Sequence, residues 1–474
     1  MVGEVAAGRA IDEALERQLE ATTDARHARY LELLRIPSIS ALSAHKADCH
    51  RAAEWLVAEL ERIGFEHAEV AETAGHPVVY ADWLHAPGAP TILVYCHYDV
   101  QPVDPINEWE TAPFEPFIRD GLTVGRGAAD DKGQISMHFA AAEAFLATRG
   151  TLPINLKFVF EGEEESSSEN LPKWLEANKA RLGCDAVIIS DTGFFEGNAP
   201  ALTLGLRGLL YTQIDIRSCS FDVHSGGFGG VVENPANAIA RIISELKDRD
   251  GVVQVAGFYD DVVELTPEQR ASIAAIPLDE DWIKGATGAK SLHGEAGYSV
   301  LERAAWRPTL DVNGIWGGFQ GEGSKTIIPA TAHAKVSMRL VPNQDPDTLF
   351  ARFEAFVHQV APPGVDVRVQ NLGSGRPTVV SAAHPVAQAG LRALEATFGA
   401  KPHLIRGGGS IPVAEIFDRV LGRPPILLGF ANPDSRAHAP NEFMRMGNYE
   451  TGIRTICVLW DDLASMTELV GWTR

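Results

Sequence analysis

A chain of 474 residues exceeds the roughly 250–300 at which one hydrophobic core stops growing, so two domains are expected. Its make-up, 45% hydrophobic, 22% charged and 8% aromatic, is that of an ordinary globular protein and excludes the disordered, collagenous and membrane-embedded classes. Against 63 acidic residues stand 41 basic ones, a formal charge of −22 with no Lys/Arg-rich stripe, so neither nucleic acid nor an anionic membrane is an expected partner.

The N-terminal stretch MVGEVAAGRAIDEALERQLE has no basic segment followed by an apolar one, and no apolar run reaches the ~18–20 residues of a membrane span. A cytoplasmic protein is expected. Trp55, Leu56, Leu60 and Ile63 recur at helical spacing and stop at Gly64, a natural left-handed terminus. Thr91 to Tyr95 reads as a buried strand. A helix with Ile135, Phe139, Ala142 and Leu146 on one face follows, then strands Leu156 to Phe160 and Ala186 to Ile189. This alternation predicts an α/β layer around a mostly parallel central sheet.

From about Leu206 the pattern changes. Leu210 to Arg217 and His333 to Leu340 alternate apolar and polar residues, and each leads into a helix, one carrying Ile239, Ile242, Ile243 and Leu246, the other Leu349, Phe353 and Phe356. Such a repeat makes a small sheet covered on one face by two helices. Asp250 to Ser324, rich in glycine and charge, reads as irregular. After about Thr378 the α/β pattern returns with a helix Pro385 to Phe398, the glycine-rich Arg406 to Ser410, a strand Pro425 to Phe430 and a closing helix near Asn448 to Leu463. Residues 1–205 and 379–474 are therefore expected to form one domain, interrupted by a second at 206–378. The five cysteines, Cys49, Cys96, Cys184, Cys219 and Cys457, are odd in number and widely spaced, which suggests neither a disulfide framework nor a thiolate metal site.

The chemistry concentrates at strand ends. His97-Tyr98-Asp99 ends the first strong strand, Asp130-Asp131-Lys132-Gly133 opens a helix, Glu163-Glu164-Glu165 follows the next strand and Asp191 the one after. Ligands collect at that edge of an open α/β sheet, so residues distant in sequence converge there. His438, in Ala437 to Glu442, adds a second imidazole from the returning segment. Taken singly, an Asp-Asp at a helix start is more often a cap, and an acidic run more often a solvated turn. Their joint order on successive strand ends is what solvated acids have no reason to adopt. Two imidazoles and three carboxylates without a thiolate suit a pair of divalent ions of the Zn, Mn or Co kind. Such a pair, roughly 3.5–4 Å apart, shares and acidifies a water. Asp99 would orient the ring of His97, and one Glu of the run would stay free as general base.

These stretches together resemble the M20 metallopeptidase family, most closely its cytosolic dipeptidase and carnosinase-like branch. The resemblance is carried by CHYDVQP (Cys96 to Pro102), GRGAADDKG (Gly125 to Gly133), EGEEESSS (Glu161 to Ser168), ISDT (Ile189 to Thr192), DVHSGGFGG (Asp222 to Gly230), KTIIPATAHAKVSMRLVPNQ (Lys325 to Gln344), GGGSIPV (Gly407 to Val413) and AHAPNE (Ala437 to Glu442). It implies a zinc-exopeptidase-like catalytic domain interrupted by an α+β lid through which two copies pair as a homodimer. It further implies His97 and Asp191 on one metal ion, Glu165 and His438 on the other, and Asp130 bridging both. Most often the ions would be zinc. Glu164 would be the general base, with Glu163 as spacer in a run where the register is open to a slip of one, and Asp99 would orient His97. His224 would stabilise the oxyanion from the neighbouring subunit, while Arg339 would grip a terminal carboxylate, with Thr326 and Ser410 as smaller contacts. The implied substrate is a small peptide or amide with a free carboxylate. The chain departs from the branch at Gly407, where an acidic residue is usual, which leaves an N-acyl or N-carbamoyl amino acid as the alternative substrate; a non-catalytic binding module, having no use for a general base, is the third reading.

Overall fold

The computed structural model describes residues 10–195, 198–276, 278, 280–408, 412–466 and 469. The chain divides into two compact units, one of Met1–Leu204, Val380–Ile405 and Pro412–Arg474, the other of Gly205–Val379 and Arg406–Ile411.

In the first unit the strands of a large sheet follow the order Glu66–Ala71, Val78–Trp83, Asn155–Glu161, Thr91–His97, Ala186–Ile189, Ile426–Leu427, Ala201–Leu206. Pairing is parallel at the centre, where Asn155–Glu161, Thr91–His97, Ala186–Ile189 and Ile426–Leu427 meet, and antiparallel on both flanks. The central strands are buried along nearly their whole length, as parallel strands covered on both faces must be. Register matters more than count here. His97 lies opposite Glu161, and Tyr95 opposite Ile189, so the residues that follow these three strands emerge together at one edge.

The helix Lys132–Arg149 differs from its expected one-sided pattern. Every side chain from Lys132 to Ala142 is buried, together with Ala144 and Phe145, because this helix packs between the sheet and the helices Glu13–Ala21, Thr23–Leu34 and Met446–Ala464. The helix Lys46–Ile63 stops where expected, at Gly64 with φ 110°. Of the stretch read as a strand from Pro425 to Phe430, only Ile426–Leu427 pairs as one.

The second unit holds a four-stranded antiparallel sheet in the order Thr309–Gly317, Thr331–Leu340, Gly208–Arg217, Asp366–Gly375. Ala332, Ala334, Val336, Met338 and Leu340 alternate inward and share a core with Ile239 and Ile242 of the helix Pro235–Leu246 and Phe353 and Val357 of the helix Pro346–Val360. The stretch Asp250 to Ser324 is more ordered than its composition suggests. It contains the helices Pro267–Ala274 and Glu280–Thr287 and the strand Thr309–Gly317. That strand escaped sequence reading because its alternation breaks at a register shift between Val312 and Gly314 and little of it is buried. Among the described residues no helix is long and apolar enough to cross a membrane.

Candidate active site

His97, at the end of its strand, is fully buried. Its Nδ1 lies 3.1 Å from the main-chain oxygen of Asp99 and 3.4 Å from Asp99 Oδ1, both acceptors, so Nδ1 is the donor and Nε2 faces the site. Nε2 stands 3.0 Å from Asp130 Oδ1 and 3.6 Å from Asp191 Oδ1. The other oxygen of Asp130, Oδ2, lies 3.0 Å from His438 Nε2, and Glu165 Oε2 lies 3.3 Å from that same nitrogen. One carboxylate thus joins two groups, His97 with Asp130 and Asp191, and Asp130 with Glu165 and His438; within each group the ligand atoms lie within 4.8 Å of one another.

The Asp99 carboxylate does more than face His97. It accepts from the main-chain N–H of Glu164 at 3.2 Å and of Glu165 at 3.0 Å, tying the acidic loop to the neighbouring strand end. Gln101 Nε2 donates to Glu165 Oε2 at 2.7 Å, which aims that carboxylate. Of the three consecutive glutamates, Glu163 is occupied elsewhere: its carboxylate accepts from His76 N at 2.9 Å and from Asn170 N and Nδ2 at 3.2 and 3.0 Å. Glu164 sits between, where the charges of His97, Asp191 and Asp99 all act on it.

Burial drives the electrostatics. Desolvation pushes Glu164 well above the usual carboxylate range and Glu165 up to about 7, and it raises Asp191, while neighbouring carboxylates add to each shift. Asp130 is held below its ordinary value because hydrogen bonds to His438 and His97 overcome its burial. His97 is raised although burial opposes its charge, since the charge of Asp191 and hydrogen bonds accepted by the Asp130, Asp191 and Asp99 carboxylates outweigh that penalty; His438 is raised by its bond to Asp130. Crowded acids around two imidazoles, with one carboxylate turned to both, are a donor set that fits two divalent cations.

The second unit carries the remaining expected residues. Val223 and His224 pair with Ile328 and Ile327, and Ser225 N donates to Thr326 O at 3.0 Å, which puts Thr326 beside the His224 loop. His224 is exposed and its Nδ1 accepts from Gly226 N at 2.9 Å. With Nδ1 accepting, the ring proton of the neutral tautomer sits on Nε2. Arg339 lies on the less buried face of the strand Thr331–Leu340. At Gly407 an added Cβ would sit 2.6 Å from Leu206 Cδ2, so an acidic residue there would require Leu206 to move. Ser410 lies outside the described residues.

Residues 93–462 match the peptidase family M20/M25/M40. The chain belongs to this family. It is 34% identical to the Cys-Gly metallodipeptidase of Schizosaccharomyces pombe, over 91% of this chain and 94% of the relative, and 31% identical to the human Beta-Ala-His dipeptidase, over 82% and 78%. An M20 metallo-carboxypeptidase from Sulfolobus solfataricus shares the fold with a TM-score of 0.82 at 35% identity, covering 93% of this chain and 99% of that one.

One residue of this M20 chain escaped sequence reading. Glu442 is fully buried and accepts from Arg126 Nη1 at 2.8 Å, Gly127 N and Ala129 N at 2.9 Å and Asp130 N at 3.0 Å. It therefore fixes the backbone from which Asp130 projects. Removing one partner of a buried pair such as Arg126 and Glu442 costs about 3–5 kcal/mol. Next to it, Asn441 accepts from Glu110 N and donates to Glu108 O, which anchors the loop that presents His438 at φ 63°. The signal for Glu442 was its place four residues after His438, but an acid's burial cannot be read from one sequence.

Proposed function

We infer that this protein is a metallo-dipeptidase that hydrolyses the amide bond of a small peptide ending in a free carboxylate. The observation that carries the reading is the pair of ligand groups sharing Asp130, with Glu164, the residue before Glu165, in neither group. Membership of M20 and extensive identity to dipeptidases support it.

In this proposal His97, Asp130 and Asp191 hold one ion and Asp130, Glu165 and His438 the other. Zinc is the proposed metal, with manganese or cobalt as substitutes that the same nitrogen and oxygen donors accept. The ions supply Lewis acidity toward the amide carbonyl and lower the pKa of water. Glu164 takes a proton from the attacking water and returns it to the leaving amine, a task suited to a carboxylate whose pKa burial has raised. Asp99 keeps His97 in the required tautomer and holds the main chain of Glu164. His224, from a second copy in a homodimer, donates a hydrogen bond from Nε2–H to the oxyanion, and Arg339 binds the substrate carboxylate, with Thr326 and Ser410 as lesser contacts. A cytoplasmic setting fits the five cysteines, all present as free thiols.

The test is a panel of free and N-acetylated dipeptides given to protein reconstituted with zinc, manganese or cobalt. Cleavage of the free dipeptides is expected. Turnover confined to the blocked members would replace this reading with an N-acyl amino acid hydrolase.

A further inference from the structure

The two ligand groups stand on different footings. His97 ends a strand of the central sheet, whereas Glu165 sits in a single turn, Glu164–Ser166, and His438 on the connection before Phe443–Arg445. A further connection, running from the end of Thr91–His97 to Glu110, reaches both of these. On it Gln101 Nε2 donates to Glu165 Oε2 at 2.7 Å, the same oxygen that lies 3.3 Å from His438 Nε2. The residues on either side of Gln101 are pinned. Val100 N donates to Ser38 O at 2.9 Å, and Pro102 O accepts from Arg126 Nη2 at 3.1 Å. Arg126 is buried; its Nη1 donates to Glu442 at 2.8 Å, and its guanidinium lies over the ring of Trp109, whose Nε1 donates to Val103 O at 2.8 Å. Further along, Glu108 O and Glu110 N both bond to Asn441, three residues after His438. The connection that carries Gln101 is thus fastened to the segment that presents His438 and, through Arg126 and Glu442, to the backbone of Asp130.

We propose that Gln101 is a positioning residue for the Asp130, Glu165 and His438 group, its amide holding the Glu165 carboxylate in the orientation that takes an ion. The proposal rests on the two-ion reading of the site. A carboxylate on a rotatable side chain loses freedom when it meets a cation, and a donor that already holds one oxygen removes part of that cost. An uncharged amide suits the task. It supplies N–H donors to the carboxylate, whereas an ammonium or guanidinium in its place would add a positive charge that repels the ion, and a second carboxylate would offer no donor. The ring of His97 is aimed by Asp99 instead, so losing the Gln101 amide leaves the His97, Asp130 and Asp191 group as it was.

The test strips zinc from the loaded enzyme with a chromophoric chelator and follows the release of two equivalents. Gln101→Met, similar in size but without a donor, should weaken one equivalent about 10- to 100-fold, the usual effect of removing a hydrogen-bonding partner of a metal ligand, and leave the other unchanged. At limiting zinc kcat should fall and return with excess zinc, while KM keeps its wild-type value. His438→Ala, which removes a ligand of the same group, identifies the equivalent concerned. Adding Gln101→Met to it should change nothing further, and an additional loss overturns the proposal. If Gln101→Met does not fold, Gln101→Asn keeps the amide one methylene short of Glu165 and should weaken the same equivalent. A residue that only props up its loop would lower thermal stability and loosen both ions alike. Both equivalents weakened together, or neither, overturns the role of Gln101 and leaves the two-ion reading intact. Wild-type protein that binds fewer than two zinc ions overturns both.

Discussion

The two units solve opposite problems. In the first, charged groups are drawn into the interior: His97, Asp99 and Glu442 are fully buried, and each is tied to a neighbour's main chain or side chain. In the second, His224 sits on an exposed loop and Arg339 lies half-buried on the less covered face of an antiparallel sheet. Groups that must hold their geometry through bond breaking are fixed in a desolvated network, where each interaction is strong and each loss severe. The groups proposed to meet a substrate or a second copy are presented from a surface backed by an apolar core.

The contrast is broken most sharply at Glu164. Glu164→Gln should lower kcat by about 10³-fold or more while both ions still bind, because only the proton carrier is lost. Metal content by elemental analysis beside steady-state rates decides it, and a variant that turns over at the wild-type rate removes Glu164 from the mechanism. On the open side, His224→Ala should lower kcat by about 10²-fold, the usual worth of one oxyanion donor, with thermal stability little changed. Mixing this variant with Glu164→Gln should restore part of the activity in mixed dimers, since one active site would then carry both intact residues. No recovery would confine His224 to its own subunit.

The smallest effect lies in the interior of the first unit, away from the chemistry. His138 is buried between Phe158 and Trp460, and burial lowers its imidazole to about 3. In the unfolded chain histidine titrates at about 6.5, so below that pH only the unfolded state takes up the proton. Stability should therefore fall by about 1.4 kcal/mol per pH unit from this residue as pH drops from about 6.5 toward 3. His138→Leu should flatten that limb in urea unfolding at pH 7, 5 and 4. An unchanged slope would assign the acid sensitivity to other groups.

Legibility followed the same division. The parallel strands and the residues after them were readable because a strand buried on both faces is a continuous apolar run, and its polar successor stands out. Thr309–Gly317 was hidden because an edge strand with a bulge and a solvated face has no such pattern. Within Glu163-Glu164-Glu165 the resemblance made Glu163 the spacer but left the register open to a slip of one, because three identical side chains differ only in what stands opposite, His76 and Asn170 for Glu163, His438 for Glu165.

Residue type and order alone determined the α/β layer, the inserted small sheet and a metal-binding inventory of imidazoles and carboxylates. Only the tertiary structure decided that Asp130 turns one oxygen to each ligand group and that Glu442 holds the backbone beneath it. Local patterns follow from each residue's own neighbours in the chain. Direction, burial and charge proximity depend on partners far away in sequence, such as Glu442 for Asp130.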